Sequence, residues 1–153
     1  MKKSERLSPL LKLEKNREQE RVKALGDARS MVAVQMEKLQ QLVDYRGEYE
    51  ATVTQQGQQG ISASRLQGYH QFLNRLTAAI TQQEEQVELA RRQETAAQDG
   101  WFAQRGAVKR MDTLIERNVT EERREDDKRE QKTLDEQAQQ LRYRVGFNSS
   151  GFG

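Results

Sequence analysis

Between Leu66 and Ile115 the chain repeats one line of residues at alternating steps of three and four. A straight α-helix turns every 3.6 residues, so a line with a 3.5-residue period stays on one face only when helices supercoil around each other. No proline interrupts this stretch. The repeat predicts a long coiled-coil helix. Twelve of its fifteen positions are apolar or aromatic. All fifteen positions form the predicted seam: Leu66, Tyr69, Leu73, Leu76, Ile80, Gln83, Val87, Ala90, Glu94, Ala97, Trp101, Gln104, Val108, Met111 and Ile115.

The composition excludes a two-layer globular core, because only 34% of the residues are hydrophobic while 33% are charged. This apolar content suffices for narrow seams between helices. The chain has no cysteine, which removes disulfides and thiolate chemistry. Its 26 basic and 24 acidic residues are interleaved, so no stripe for nucleic-acid phosphates is expected. With no apolar segment long enough to span a membrane and no convincing secretory signal, the sequence favours a cytoplasmic protein.

Start and stop signals divide the chain into two helices. Ser8-Pro9 suits a first helical turn, which predicts helix 9–54. A polar segment with two glycines predicts loop 55–61, after which helix 62–143 begins at Ser62 or Ser64. Ser64 with Gln67 has the form of a capping box. Residues 1–145 are therefore predicted to form one all-α domain, an antiparallel coiled-coil hairpin of two long helices, and residues 146–153 a disordered tail.

The two predicted helices differ in length. If the chain folds back at residues 57–60, residue i lies opposite about 118 minus i, so that Pro9 falls near position 109. The second helix should then overhang beyond Met111 without a partner from its own chain. This overhang contains 120–132, where eleven of thirteen residues are charged, followed by apolar residues at steps of four, three and four: Leu134, Ala138, Leu141 and Val145.

Signatures of catalysis or of cofactor binding are missing from the sequence. Patterns typical of nucleotide hydrolysis, acyl transfer and zinc proteolysis do not occur. His70, the single histidine, should lie exposed on the flank of the seam, and with no cysteine the usual zinc ligand sets cannot form. We expect a protein that is not an enzyme and holds no metal or cofactor. Gly100 and Gly106 bracket Trp101 and Phe102, which indicates either a bend or docking point, or a tryptophan filling the seam.

One patch is wider than a two-stranded coiled coil needs, because such a pair uses only two positions per heptad. A second line of residues runs beside the seam, through Phe72, Leu76, Ala79 and Gln83, and Leu42, Tyr45 and Tyr49 lie across from it. Exposed aromatic residues on a narrow helical pair favour a partner-binding face. The alternatives are self-association into a four-helix bundle and a locally thicker core.

Several short motifs lie in this region: DYRGEY at Asp44–Tyr49, GIS at Gly60–Ser62, GYHQF at Gly68–Phe72 and L-x-x-A-I-T-Q at Leu76–Gln82. Together they resemble the FliJ family of the bacterial flagellar export apparatus. The plan of a helix, a loop and a longer helix is similar too, over nearly the whole chain. The resemblance implies a non-enzymatic protein of flagellum biogenesis and type III protein export, peripheral at the cytoplasmic face of the inner membrane through the export apparatus.

The resemblance also implies partners and contact residues. FliJ proteins look like the central stalk of rotary ATPases, with the chain ends inserted into a hexamer of the export ATPase FliI. They contact the export gate component FlhA and escort export chaperones. The implied gate contacts are Phe72, Leu76, Ala79 and Gln83, of which Gln83 departs from the histidine of enteric members. Leu42, Tyr45 and Tyr49 match the adjoining face.

Two rival interpretations remain open on the sequence. One is the corresponding stalk of an injectisome secretion ATPase. The other is a structural coiled-coil adaptor or chaperone that self-associates through the Tyr45 and Phe72 face and has no ATPase partner. Sedimentation separates a monomeric stalk from a stable bundle.

Overall fold

The computed structural model describes residues 1–150 and contains two helices, α1 (Lys3–Gln59) and α2 (Ala63–Ser150), which pack against each other as an antiparallel hairpin. The all-α hairpin with a longer second helix is confirmed. The predicted helix bounds were too short at every end except the start of α2. Of the predicted tail at 146–153, α2 includes residues up to Ser150, and 151–153 lie outside the described residues.

Helix α1 begins at Lys3, six residues before the start predicted at Pro9. The backbone carbonyl of Lys2 accepts hydrogen bonds from the amides of Glu5 (3.1 Å) and Arg6 (3.2 Å), which closes a first turn ahead of the proline. Pro9 thus lies inside α1 instead of starting it, and it has no amide to donate to the carbonyl of Glu5 four residues earlier.

The reversal between the helices is shorter than the predicted loop 55–61. Gly57 is still helical, and α1 ends at Gln59. Gly60 follows with a φ of +87°, a left-handed conformation typical of a helix C-terminus that side chains with a Cβ rarely adopt. The hydroxyl of Ser62 then accepts a 3.2 Å hydrogen bond from the amide of Arg65. Ser62 is thus the N-cap of α2, and the capping box predicted at Ser64 is wrong.

Compact packing divides the chain into two units, which we treat separately. The hairpin unit comprises Arg17–Arg105. Its core is a single line of contacts, since only five apolar side chains are buried there: Leu25, Leu76, Ile80, Val87 and Ala90. The register predicted for this unit is confirmed, because the residue numbers of the contacting pairs Gln35–Gln83 and Tyr49–Tyr69 each add up to 118.

The terminal unit comprises Met1–Asn16 and the part of α2 from Gly106 onward. Val108 and Asn118 are its buried residues. Here the predicted pairing is wrong: Ser4 contacts Glu122 where the register predicted position 114, and Lys2 contacts Asp126. Because α1 starts before Pro9 and Ser4 pairs with Glu122, α2 keeps a partner well beyond Met111. Residues 127–145 of α2 extend beyond the Lys2–Asp126 contact with α1, and every residue from 123 to 146 is exposed.

The predicted seam matches the observed burial on α2. All its positions from Tyr69 to Ile115 are buried or half-buried, and only Leu66, in the first turn of α2, is exposed. The pattern continues at the same steps to Asn118 and Glu122. Steps of three and four along α2 thus identify its inward face even where the residue is polar, as at Gln83, Glu94 and Gln104.

Candidate partner-binding face

Four aromatic side chains near the reversal form one cluster, which we call the aromatic cluster: Tyr45, Tyr49, Tyr69 and Phe72. The rings of Tyr49 and Phe72 have centroids 4.6 Å apart, Tyr49 and Tyr69 are 5.7 Å apart, and Tyr45 and Phe72 are 6.2 Å apart. The interplanar angles of 60° to 89° are those of tilted and edge-to-face pairs, which aromatic quadrupoles favour. The cluster joins the two helices across their seam.

Heptad spacing explains why the cluster is only partly buried. Tyr49 and Tyr69 occupy seam positions, while Tyr45 and Phe72 lie on the flank beside them. Tyr49, Tyr69 and Phe72 are half-buried, whereas 49% of Tyr45 remains exposed. The hydroxyl of Tyr69 donates a hydrogen bond to the side-chain oxygen of Gln56. The cluster therefore has an inner edge tied into the hairpin and an outer edge open to solvent.

Burial raises the pKa of the Tyr49 hydroxyl, and the neighbouring Tyr69 and Tyr45 raise it further. Each of these effects penalises the phenolate, so the ring stays neutral at physiological pH. Tyr49 therefore contributes apolar ring surface and an uncharged hydroxyl to the cluster.

The structure separates the four residues that the resemblance assigned to gate contact. Phe72 and Ala79 are half-buried on the flank, but Leu76 is only 7% exposed and belongs to the core. The amide nitrogen of Gln83 donates to the backbone carbonyl of Gln35 at 2.9 Å and to its side-chain oxygen at 2.7 Å. Leu76 and Gln83 thus hold the helices together, while Phe72 and Ala79 reach the surface. On the adjoining face, Leu42 and Tyr49 are half-buried and Tyr45 is exposed.

Trp101 lies half-buried at its predicted seam position, with Phe102 exposed beside it and their ring centroids 4.9 Å apart. The guanidinium of Arg105 sits 5.6 Å from the Trp101 ring centroid, a cation–π distance. The indole nitrogen is buried without a hydrogen-bond partner. A Cβ on Gly100 would lie 3.4 Å from the Arg21 side chain, so this glycine gives the arginine room to cross α2.

A polar cluster in the terminal unit was missed in the sequence, and we call it the clamp: Lys2, Ser4, Glu122 and Asp126. One carboxylate oxygen of Glu122 accepts the backbone N–H of Ser4 at 3.0 Å, and the other accepts its hydroxyl at 2.7 Å. The ammonium of Lys2 pairs with Asp126 at 2.9 Å. Because the first amides of a helix lack partners within it, Glu122 serves as an N-cap for α1.

Each ionisable group of the clamp stabilises the charge of another. The hydrogen bonds from the Ser4 hydroxyl and amide lower the pKa of Glu122. The hydrogen bond and charge of Lys2 lower the pKa of Asp126, and Asp126 in turn raises the pKa of Lys2. The signal that could have found Glu122 is the seam itself, since Asn118 and Glu122 continue it past Ile115 at steps of three and four.

Among residues 1–150, no group of three or more acidic or histidine side chains is arranged to hold a metal ion. In the same residues, neither helix contains a stretch apolar enough to cross a membrane. His70 is exposed, as its heptad position predicted.

Comparison with known proteins decides the family. The family model described as flagellar FliJ protein matches residues 2–146, which is nearly the whole chain. The chain belongs to the FliJ family. The flagellar FliJ protein of Escherichia coli K12 is 28% identical to it over 138 residues, covering 90% of this chain and 94% of the relative. That of Salmonella typhi is 28% identical over 120 residues, covering 78% and 82%. No solved structure matches the chain.

The match to the FliJ model includes both the aromatic cluster and the clamp. The resemblance rested on motifs between Asp44 and Gln82, whereas the family model extends through the terminal unit as far as Gly146. The match to the FliJ family is therefore not confined to the short motifs.

Proposed function

We propose that this FliJ-family chain is a non-enzymatic component of the flagellar type III protein export apparatus, in which it acts as the central stalk of the hexameric export ATPase. The ATPase is of the FliI type. The hairpin couples it to a membrane export gate of the FlhA type and assists export chaperones. Association with the membrane then occurs through the export complex. The observation that carries this proposal is the continuation of α2 beyond the clamp, where every residue from 127 to 146 is exposed.

An unpartnered helix of this composition is suited to insertion into another protein. The segment 120–132 is highly charged, and its part after Asp126 lies beyond the clamp, where a helix that is polar all round needs ion pairs or a partner to persist. Within it the structure gives Asp126 and Arg129 as an i,i+3 pair at 4.0 Å. Leu134 and Leu141 follow with 53% and 62% of their surface exposed. A ring of ATPase subunits would supply the surface that α1 does not.

The second contact of the proposal, to the export gate, uses the outer edge of the aromatic cluster. Tyr45 and Phe72 present ring surface there, and Ala79 lies two turns further along the same flank of α2. Clustered aromatic residues carry a large share of the binding energy at many interfaces. Leu76 and Gln83 act in this contact indirectly, because they position the two helices that display it.

Two variants test this division of labour in purified components. Deleting residues 127–153 leaves the clamp intact and should reduce stimulation of the FliI-type ATPase while gate binding persists. Tyr45→Ala, at an exposed position, should weaken binding to the FlhA-type gate by roughly tenfold and leave ATPase stimulation unchanged. Circular dichroism before each assay checks that both chains are folded. Equal loss of both activities in either variant would contradict the proposal.

A further inference from the structure

The apolar residues beyond the clamp form a stripe with an unusual symmetry. This terminal stripe consists of Leu134, Ala138, Leu141 and Val145, spaced four, three and four apart, so it reads the same in both directions along α2. All four residues are exposed, Val145 at 66%. A palindromic spacing lets two copies of the same helix pair antiparallel with every apolar residue matched.

The terminal stripe does not continue the seam with α1. Carried past Glu122 at steps of three and four, the seam would pass through positions 125, 129 and 132. Leu134 lies two residues beyond the last of these, which is a rotation of about 200° around a helix with 3.6 residues per turn. The stripe therefore lies on nearly the opposite side of α2, and a longer α1 would not cover it.

The charges beside the stripe specify the direction of pairing. In an antiparallel pair, Leu134 meets Val145 of the second copy and Ala138 meets Leu141. Asp135, which flanks the stripe, then lies opposite Arg142 of the second copy. The two-fold symmetry of the pair produces this contact twice. One oxygen of Asp135 accepts a 3.2 Å hydrogen bond from Gln131 in the same helix, and its other oxygen remains available for the arginine. In a parallel pair, Arg142 would face the uncharged Gln137 instead.

We propose that the terminal stripe binds a second copy of this chain, forming an antiparallel two-helix contact with Asp135–Arg142 ion pairs on its flank. The contact is small, so the dimer is weak and concentration-dependent. It uses neither the aromatic cluster nor the clamp, and it does not depend on the proposed role in export. It does use Leu134 and Leu141, so a chain whose α2 end is held in an ATPase ring does not dimerise through the stripe at the same time.

Exchanging the charges of the ion pair provides the first test. Dimerisation of full-length chains is measured by sedimentation at chain concentrations from about 10 µM to about 1 mM. Asp135→Arg alone and Arg142→Asp alone should each weaken dimerisation about tenfold, because two attractions become two repulsions. An equimolar mixture of the two variants should regain it, since each mixed pair restores both ion pairs. Asp127→Arg, the same charge change at an exposed position outside the stripe, is the control and should leave dimerisation unchanged.

Cysteine cross-linking provides the second test and reports orientation, because the chain has no native cysteine. Under mild oxidation, a mixture of Ala138→Cys and Leu141→Cys chains should form the mixed disulfide, and either variant alone should form little. Disulfides in the separate variants but not in the mixture would show a parallel pair and overturn the proposal. Wild-type chain that stays monomeric over the whole concentration range would overturn it as well.

Discussion

The placement of Leu76 in the core has a direct experimental consequence. Its side chain is 7% exposed, one of only five buried apolar side chains in the hairpin unit. Leu76→Ala removes three carbon atoms, at about 0.8 kcal/mol for each buried methylene, and adds a cavity term that partial collapse reduces. Because alanine and leucine are both strong helix formers, the helix itself is unaffected. We expect a loss of roughly 2–4 kcal/mol in the free energy of unfolding, out of a total that is usually about 5–15 kcal/mol.

Urea unfolding followed by circular dichroism measures this loss, and thermal unfolding should show a midpoint lower by roughly 5–15 °C. Leu89→Ala is the matched control, because it makes the same change on the same helix at a residue that is 48% exposed. Its expected effect is within about 0.5 kcal/mol. Equal stability of the two variants, or a loss below about 1 kcal/mol for Leu76→Ala, would refute the assignment of Leu76 to the core. Any loss of gate binding in Leu76→Ala should then be traced to packing, by comparison with Tyr45→Ala.

Two further predictions concern the reversal and the clamp. Gly60→Ala should destabilise the hairpin by about 1–2 kcal/mol, because Gly60 has a positive φ. Gly57→Ala should stabilise it by roughly 0.5–1 kcal/mol, because Gly57 lies inside α1. Chemical unfolding measures the free energy of unfolding of both variants. Since the folded chain lowers the carboxyl pKa of Glu122 and Asp126, the clamp's contribution is complete near neutral pH and is lost as the pH falls through these lowered values. Titration of the side-chain carboxyl carbons by NMR should give Glu122 a higher midpoint in Ser4→Ala than in the wild-type chain, because the variant lacks the hydroxyl that donates to this carboxylate.

The hairpin could be predicted because its information is local and repeated. Each turn of α2 from Tyr69 to Ile115 reports the same inward face, so the polar residues Gln83 and Glu94 were placed correctly by their neighbours. The same repetition cannot decide whether a residue faces inward or outward where the seam and the second line of residues beside it share a position. Leu76 lies on both the seam and the flank line, and only the packed structure shows that its side chain points inward.

The clamp could not be predicted in the same way, because it joins residues 118 positions apart in the chain. Proline does prefer the first turn of a helix, but the helix can begin earlier when another group accepts hydrogen bonds from the amides that precede the proline. Here that group is the carboxylate of Glu122 from the other helix. The error at Pro9 placed the start of the overhang too early on α2. The wrong pairing of the terminal unit has another origin, because Ser4 contacts a residue eight positions beyond the predicted 114.

Polar residues inside each of the two units explain how so thin a core can specify the register of that unit. Leucine pairs along a seam tolerate a slip by one heptad, since another apolar residue replaces the one that leaves. Gln83 does not tolerate it, because its amide donates both to the backbone and to the side chain of Gln35. Glu122 is equally selective, since a slip would separate it from the amide and hydroxyl of Ser4. Gln83 and Glu122 are half-buried, and a slip would leave both without their hydrogen-bond partners, so these residues set the register while the apolar side chains supply the affinity between the helices.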